Sequence, residues 1–265
     1  MPAPDAPAGA ATDMALLAEA AHEAGAIARR HFGRSPETWE KDGGQGPVTA
    51  ADLEIDAMLR RDLLAARPGY GWLSEESADT PDRLDRARVF VVDPIDGTRA
   101  FVDGQHGFSH SLAVVEDGRP VAAAIHLPML DRTYLAARGL GATRDGARVA
   151  PSVRAGLDGA QVLGKSSHFS DAHWRGGRPP VRKHFRPSLA WRLALVAEGR
   201  FDAMVTLGGA WEWDIAAGAL IVEEAGGLVR DRRGRRLAFH AARPLLDDVV
   251  AGTPAVAGAL LDRLA

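Results

Sequence analysis

Between Tyr70 and Ala136 the sequence breaks into five short β-type runs: Tyr70–Ser74, Val89–Asp93, Ser109–Glu116, Val121–Leu127 and Thr133–Ala136. Most end near a turn signal such as Asp117-Gly118 or Pro128. Helical patterns precede them. From Asp13, the residues Leu16, Leu17, Ala20, Ala24, Ile27 and His31 follow a 3.6-residue period. A second helix opens at Thr49 and carries an apolar stripe through Ile55, Met58, Leu59, Leu63 and Ala66, ended by Pro68-Gly69. Residues 1–12, rich in Ala, Pro and Gly, read as a disordered tail, and residues 42–47 as a flexible loop dense in breakers.

Beyond Ala136 the texture alternates. A strand over Ala160–Gly164, a polar basic loop, a helix over Ser188–Glu198, a strand over Phe201–Thr206, a helix over Asp214–Ala225 and a late strand at Val249–Ala251 are expected. The Gly- and Arg-rich stretch Gly139–Gly159 marks the boundary between two halves, 13–150 and 151–265. The order is helices, an antiparallel-looking sheet, then alternating α and β, an α/β class.

Composition removes several chemistries. None of the 265 residues is cysteine, so disulfides, thiol nucleophiles, zinc–thiolate sites and iron–sulfur clusters are excluded. A net charge of −3 argues against a protein that coats nucleic acid. No apolar run approaches the roughly 20 residues of a membrane helix, and the first residues lack the pattern of a signal peptide. The expectation is a soluble cytoplasmic enzyme.

The chemistry concentrates in acidic residues at element ends. Val91-Val92-Asp93-Pro94-Ile95-Asp96-Gly97-Thr98 runs from a buried strand through a turn with two carboxylates into a helix start. A bare Pro-x-Asp-Gly turn is its plain structural use. Thr49-Ala50-Ala51-Asp52 fits a capping box, yet Asp52 lies two turns before Leu59 and so points along the buried stripe. Glu75 and Glu76 end a strand. Asp214 is suited to a helix N-terminus but shares the face of Ala217, Gly218, Ile221 and Val222. Carboxylates from separate elements, with no cation close in sequence, suggest a cluster for oxygen-loving Mg²⁺ or Mn²⁺ rather than zinc. The N–H groups of Gly97 and Thr98 at the helix start add an anion site. Metals beside an anion site point to phosphate chemistry.

Two other patterns carry less. Gly159–Ser166 satisfies the P-loop pattern letter for letter, but Gln161-Val162-Leu163 is itself strand-like and Gly176-Gly177 and Pro179-Pro180 preclude a long following helix. His106 and His110 have ligand-like spacing without a third ligand. No Gly-x-Ser-x-Gly elbow exists.

At these acidic residues the chain closely resembles the inositol monophosphatase family of Mg²⁺-dependent, lithium-sensitive phosphatases. Asp93–Thr98 matches one family signature and Trp213–Gly218 the other, with Pro47–Asp52 and Ser74–Ser77 as two further blocks in the expected order. The resemblance implies an alternating αβαβα layered sandwich, usually dimeric, acting on a small phosphorylated metabolite. It implies that Glu75, Asp93 and the Ile95 carbonyl hold one Mg²⁺, and that Asp93, Asp96 and Asp214 hold a second. A weaker third ion would sit near Glu75, and Mn²⁺ is a substitute. Thr98, hydrogen-bonded to Asp52, would help activate the attacking water. Lys41 falls where the family often has a lysine near the mobile metal.

For substrate, Ser74-Glu75-Glu76 is more similar to the 3′(2′),5′-bisphosphate nucleotidases, as is Gly164-Lys165-Ser166-Ser167-His168, although Lys165 stands at the first serine. Arg192 falls where those enzymes carry a lysine. Arg182, Lys183, His184 and Arg186 lie near it in sequence, which suits a ligand rich in phosphate or a solvated basic surface. Gly97, Thr98, Ser166, Arg192 and Asp214 are thus the expected substrate contacts. Thr98-Arg99-Ala100-Phe101 instead resembles the histidinol-phosphate phosphatases. The resulting expectation is conversion of adenosine 3′,5′-bisphosphate to AMP and phosphate, in sulfur metabolism. Inositol 1-phosphate and histidinol phosphate are the alternative substrates, and a non-catalytic phosphate-binding module is the alternative of another class.

Overall fold

The computed structural model describes residues 9–34, 37–40 and 46–265. Helix α1 spans Ala10–His31, and a short pair of strands, β1 (Thr38–Glu40) and β2 (Pro47–Thr49), leads to α2 (Ala50–Ala66). The expected tail is therefore shorter than 1–12, because Ala10–Thr12 are helical. Gly9 starts the helix at positive φ, its carbonyl accepts the Asp13 N–H, and buried Asp13 is fixed by Arg67, Arg88 and Tyr70. The rest of that tail and residues 42–45 of the expected loop lie outside the described residues, as does Lys41.

A seven-stranded sheet follows: β3 (Gly71–Ser74), β4 (Arg88–Asp96), β5 (Ser109–Glu116), β6 (Arg119–Leu127), β7 (Arg132–Ala137), β8 (Gly141–Arg144) and β9 (Ala147–Arg148), paired in chain order. It is antiparallel except that β3 runs parallel to β4. The five-residue helix α3 (Thr98–Val102) sits between β4 and β5. The β5–β6 turn puts Asp117 and Gly118 both at positive φ, the conformation a tight hairpin requires.

A five-stranded sheet, in order β11-β10-β12-β14-β13, is formed by β10 (Gln161–Leu163), β11 (Arg182–His184), β12 (Ala203–Trp211), β13 (Leu228–Arg230) and β14 (Leu245–Gly252). Helices α4 (Leu189–Ala197), α5 (Glu212–Glu224) and α6 (Pro254–Leu261) complete the chain. The basic loop expected after Gly164 contains one of these strands, since Arg182–His184 pairs in parallel with β10. Strand β13 and helix α6 carry too little periodic signal to stand out.

The period-2 alternation of the central strands explains the layering. Phe90, Val92, Leu112, Val114, Ala122 and Ala124 face α1 and α2, whereas Val89, Val91, Ala113, Val115, Ala123 and Ile125 face α4 and α5. The latter helices fill the space between the sheets, and α6 covers the far face of the second sheet, packing Leu260 beside Val205 and Val250. The result is an αβαβα sandwich. Small residues on α5 make its middle layer thin: a Cβ at Gly218 would lie 2.5 Å from Leu193 of α4. Among the described residues, no helix is long and apolar enough to cross a membrane.

Candidate active site

The acidic residues meet because β4 does not end cleanly. Its ladder with β5 pairs Asp93 with Ser111 and then Asp96 with Ser109, so β4 gains one residue. In a regular strand, residues three apart point to opposite faces; the bulge puts both aspartates on one side. Pro94, which has no N–H to offer the ladder, occupies the irregularity. Gly97 follows at φ 101°, a conformation that favours glycine, and redirects the chain into α3.

Asp214, in the first turn of α5, approaches the same point from the middle layer. Trp211 rather than Asp214 holds the N-cap position of that helix. Single carboxylate oxygens of Asp93, Asp96 and Asp214 lie within 4.8 Å of one another. Glu75 stands at the end of β3, its N–H bonded to the Val92 carbonyl at 3.2 Å, and lines the same cavity. The loop carrying it is tied to α2 by the hydroxyls of Ser74 and Ser77, both on Asp56.

The electrostatics of the three aspartates differ by their donors. Both oxygens of Asp93 are buried and accept no hydrogen bond among the described residues. Burial, with the charges of Glu75, Asp96 and Asp214, pushes its carboxyl well above the usual range. Asp214 is raised strongly too, by burial and by Asp96 and Glu75. Asp96 is pushed up by burial to only about 6, because it accepts from Ser188 Oγ (2.6 Å), Ala190 N (2.6 Å) and Leu189 N (3.1 Å) at the start of α4. A buried carboxylate without donors, among three more carboxylates, is a set that only cations or protons neutralise. The hard oxygen donors fit Mg²⁺ or Mn²⁺.

Beside this cluster, Thr98 Oγ1 lies 3.0 Å from the Ile95 carbonyl and 3.4 Å from Asp52 Oδ1. Asp52 completes the capping box at its other oxygen, which accepts the Thr49 N–H at 2.9 Å. One side chain therefore serves both uses anticipated for it, as helix cap and as neighbour of Thr98.

The cavity has a volume of about 450 Å³ and carries basic as well as acidic walls: Arg99, Lys165 and Arg192 line it with Glu75, Asp93, Ile95, Gly97 and Thr98. Arg192 is buried; Nε donates to the Arg186 carbonyl and Nη2 to that of Pro187, while Nη1 has no hydrogen-bond partner among the described residues. Burial lowers its pKa to about 10, against the pull of Asp96 and Asp214, so it stays cationic at neutral pH.

Ser166 is not brought to this cavity. It is exposed in a 3₁₀ turn, and His168 turns inward to bond the Val205 carbonyl; Lys165 is the residue of that segment that lines the cavity. The same turn, in place of a long helix, removes the P-loop reading. Arg186 stacks over Trp191 and Phe201, and Arg182 and Lys183 lie on strand β11; none of the three is a cavity wall. Sequence reasoning missed Phe185 and Trp211 as walls, and it set aside His110, which is buried opposite the bulge with Nδ1 on the Pro94 carbonyl at 2.5 Å. An isolated phenylalanine in a basic stretch gives no periodic signal; His110 was visible only as half of a false ligand pair.

Comparison with known proteins agrees with this geometry. The chain is 34% identical over 235 residues to an inositol-1-monophosphatase of Rhizobium meliloti (strain 1021), covering 83% of this chain and 85% of that one. It is 30% identical to a 3′(2′),5′-bisphosphate nucleotidase CysQ of Aggregatibacter actinomycetemcomitans, covering 84% and 85%. The solved structure of a Thermotoga maritima IMPase superposes with a TM-score of 0.79 at 29% identity, covering 92% of this chain and 93% of that one. With four acidic blocks converging in one cavity of an αβαβα sandwich, and a family match spanning residues 11–263, the chain belongs to the inositol monophosphatase family of metal-dependent phosphatases.

Proposed function

We propose that the chain removes the 3′-phosphate of adenosine 3′,5′-bisphosphate, giving AMP and inorganic phosphate. Arg192 carries the reading: a buried guanidinium with one unpaired N–H group, in a cavity that also presents Arg99 and Lys165, suits a substrate with a second phosphate. A monoester with a neutral alcohol would bring no second anion to Arg99, Lys165 and Arg192. A second reading, inositol 1-phosphate, is favoured by the name of the 34% identical relative.

In this proposal Glu75, Asp93 and the Ile95 carbonyl hold one divalent ion, and Asp93, Asp96 and Asp214 another. When bound, such ions supply a nucleophile at neutral pH and positive charge for the phosphoryl oxygens. The chain's own groups do the rest. Thr98 Oγ1 donates to Asp52 Oδ1 or to the Ile95 carbonyl, leaving a lone pair to receive a proton of the attacking water. The N–H groups of Gly97 and Thr98 face the transferring phosphate. Lys165, with the charge of Arg192 behind it, takes the second phosphate and fixes which ester is cleaved.

The test is phosphate release with Mg²⁺ from adenosine 3′,5′-bisphosphate and from inositol 1-phosphate at equal concentrations. Faster release from the nucleotide, with the preference lost in Lys165→Ala, is the expected result. Preference for the inositol ester would discard the substrate and keep the metal site.

A further inference from the structure

The basic segment around Phe185 is an interleaved stack of cations and rings. The Arg192 guanidinium lies 4.5 Å from the Phe185 ring centroid, and that of Arg186 lies 5.5 Å from both Trp191 and Phe201. Arg192 is itself pinned by the Arg186 and Pro187 carbonyls, which fixes the support under Phe185. Yet Phe185 is 51% exposed, in the wall of the cavity that holds the acidic cluster. A phenylalanine left half in water while one face is braced by a buried cation is not filling a core; its free surface is turned to whatever enters the cavity. Trp211, the cavity's other large aromatic, stacks at 4.9 Å on Trp213 and its backbone N–H serves Asp214, so it belongs to the acidic end.

We infer that Phe185 is the stacking platform for a planar, nitrogen-containing ring on the leaving group, and that this ring is a nucleobase. The inference rests on the nucleotide reading above and extends it from the phosphates to the base. A braced aromatic face offers contact area without losing rotamer freedom on binding. Base stacking on an aromatic face tolerates any base, since each has a π-face, and the cation behind the ring adds to the attraction. The carbocyclic, hydroxylated ring of an inositol has no such face to present.

The test is calorimetric titration, with Mg²⁺ present, of AMP and of ribose 5-phosphate, which share sugar and phosphate and differ by the base. Three proteins are compared: the unaltered chain, Phe185→Leu and Phe185→Trp. In the unaltered chain AMP is expected to bind about ten- to a hundredfold more tightly than ribose 5-phosphate, the range that stacking on one aromatic supplies. Phe185→Leu closes that gap and Phe185→Trp keeps it. Because Phe185 is half exposed, the leucine variant retains the fold, which its melting temperature checks. An absent gap in the unaltered chain overturns the inference, as does a gap that survives in Phe185→Leu. The nucleotide reading is judged separately, by which ester is hydrolysed. If inositol 1-phosphate is preferred and the AMP gap still closes with leucine, the platform stands and the substrate falls.

Discussion

Asp93→Asn should make the metal-free protein more stable while removing its response to Mg²⁺. Asp93 is buried, receives no hydrogen bond at either oxygen from the described residues and faces the charges of Glu75, Asp96 and Asp214. Asp96 sets the scale. Even with three donors, its carboxyl rises from 3.8 to about 6, which corresponds to about 3 kcal/mol of unfavourable charge at neutral pH. Asp93 has none of those donors. The amide removes one charge, is nearly the same size and can donate to Asp96 or Asp214. A gain on the order of 3 kcal/mol follows, and in a chain of this length that is a rise of about 5–10 °C in melting temperature. The assay is thermal unfolding near neutral pH in chelator and in millimolar Mg²⁺. The unaltered protein should melt low in chelator and rise with Mg²⁺; Asp93→Asn should melt higher in chelator, gain little from Mg²⁺ and release no phosphate. A variant that melts lower in chelator, or that Mg²⁺ stabilises as much as the unaltered protein, would refute the argument, because Asp93 would then be satisfied by something other than a cation.

Two further outcomes follow from the same groups. Burial and mutual repulsion raise the carboxyls of Asp93, Asp96 and Asp214, so protons compete with Mg²⁺ for them more strongly as pH falls: affinity should fall and proton release grow as pH is lowered toward about 6, measured by calorimetry in buffers of different ionisation enthalpy. His110 and His126 are pulled by burial to about 3 and about 4, below the ordinary 6.5. Their neutral forms belong to the fold, so their contribution is complete above pH 6.5 and is lost as pH falls toward those values, at about 1.4 kcal/mol per pH unit for each imidazole. His110→Phe should lower stability near neutral pH by about 1–3 kcal/mol, through the unpaired Pro94 carbonyl, and should flatten the acid limb of the melting curve. An acid limb as steep as that of the unaltered protein would contradict it.

Much of the architecture was legible because the elements obey their own periods. Five of the seven strands of the first sheet announce themselves through alternation and turns, and α2 through Thr49, which caps it as its sequence suggests. What was hidden depends on contacts distant in sequence. β11 is three residues of charge, Arg182–His184, and becomes a strand only because β10 offers an edge. Ser166 belongs to a segment similar to a nucleotidase motif, but the inward turn of His168 onto Val205 leaves it outside the cavity. Phe185 takes its position from Arg192, seven residues away, through a guanidinium whose bonds no local pattern encodes.

The acidic cluster raises the question of how a fold holds together groups that repel. Here the scaffold bonds the neighbours of the centre and spares the centre itself. Asp56 takes the hydroxyls of Ser74 and Ser77 and so fixes the loop bearing Glu75. The start of α4 takes Asp96, and Thr49 takes Asp52. His110 takes the carbonyl between Asp93 and Ile95. Each bond positions the backbone from behind, where donors are neutral and salt-independent. Asp93, at the middle, is given nothing. Had the same donors been spent on Asp93, its carboxyl would be satisfied and a cation would gain little by binding. Leaving it bare converts the repulsion among four carboxylates into affinity for an ion, which is why the element ends, and not the strand interiors, carry the function.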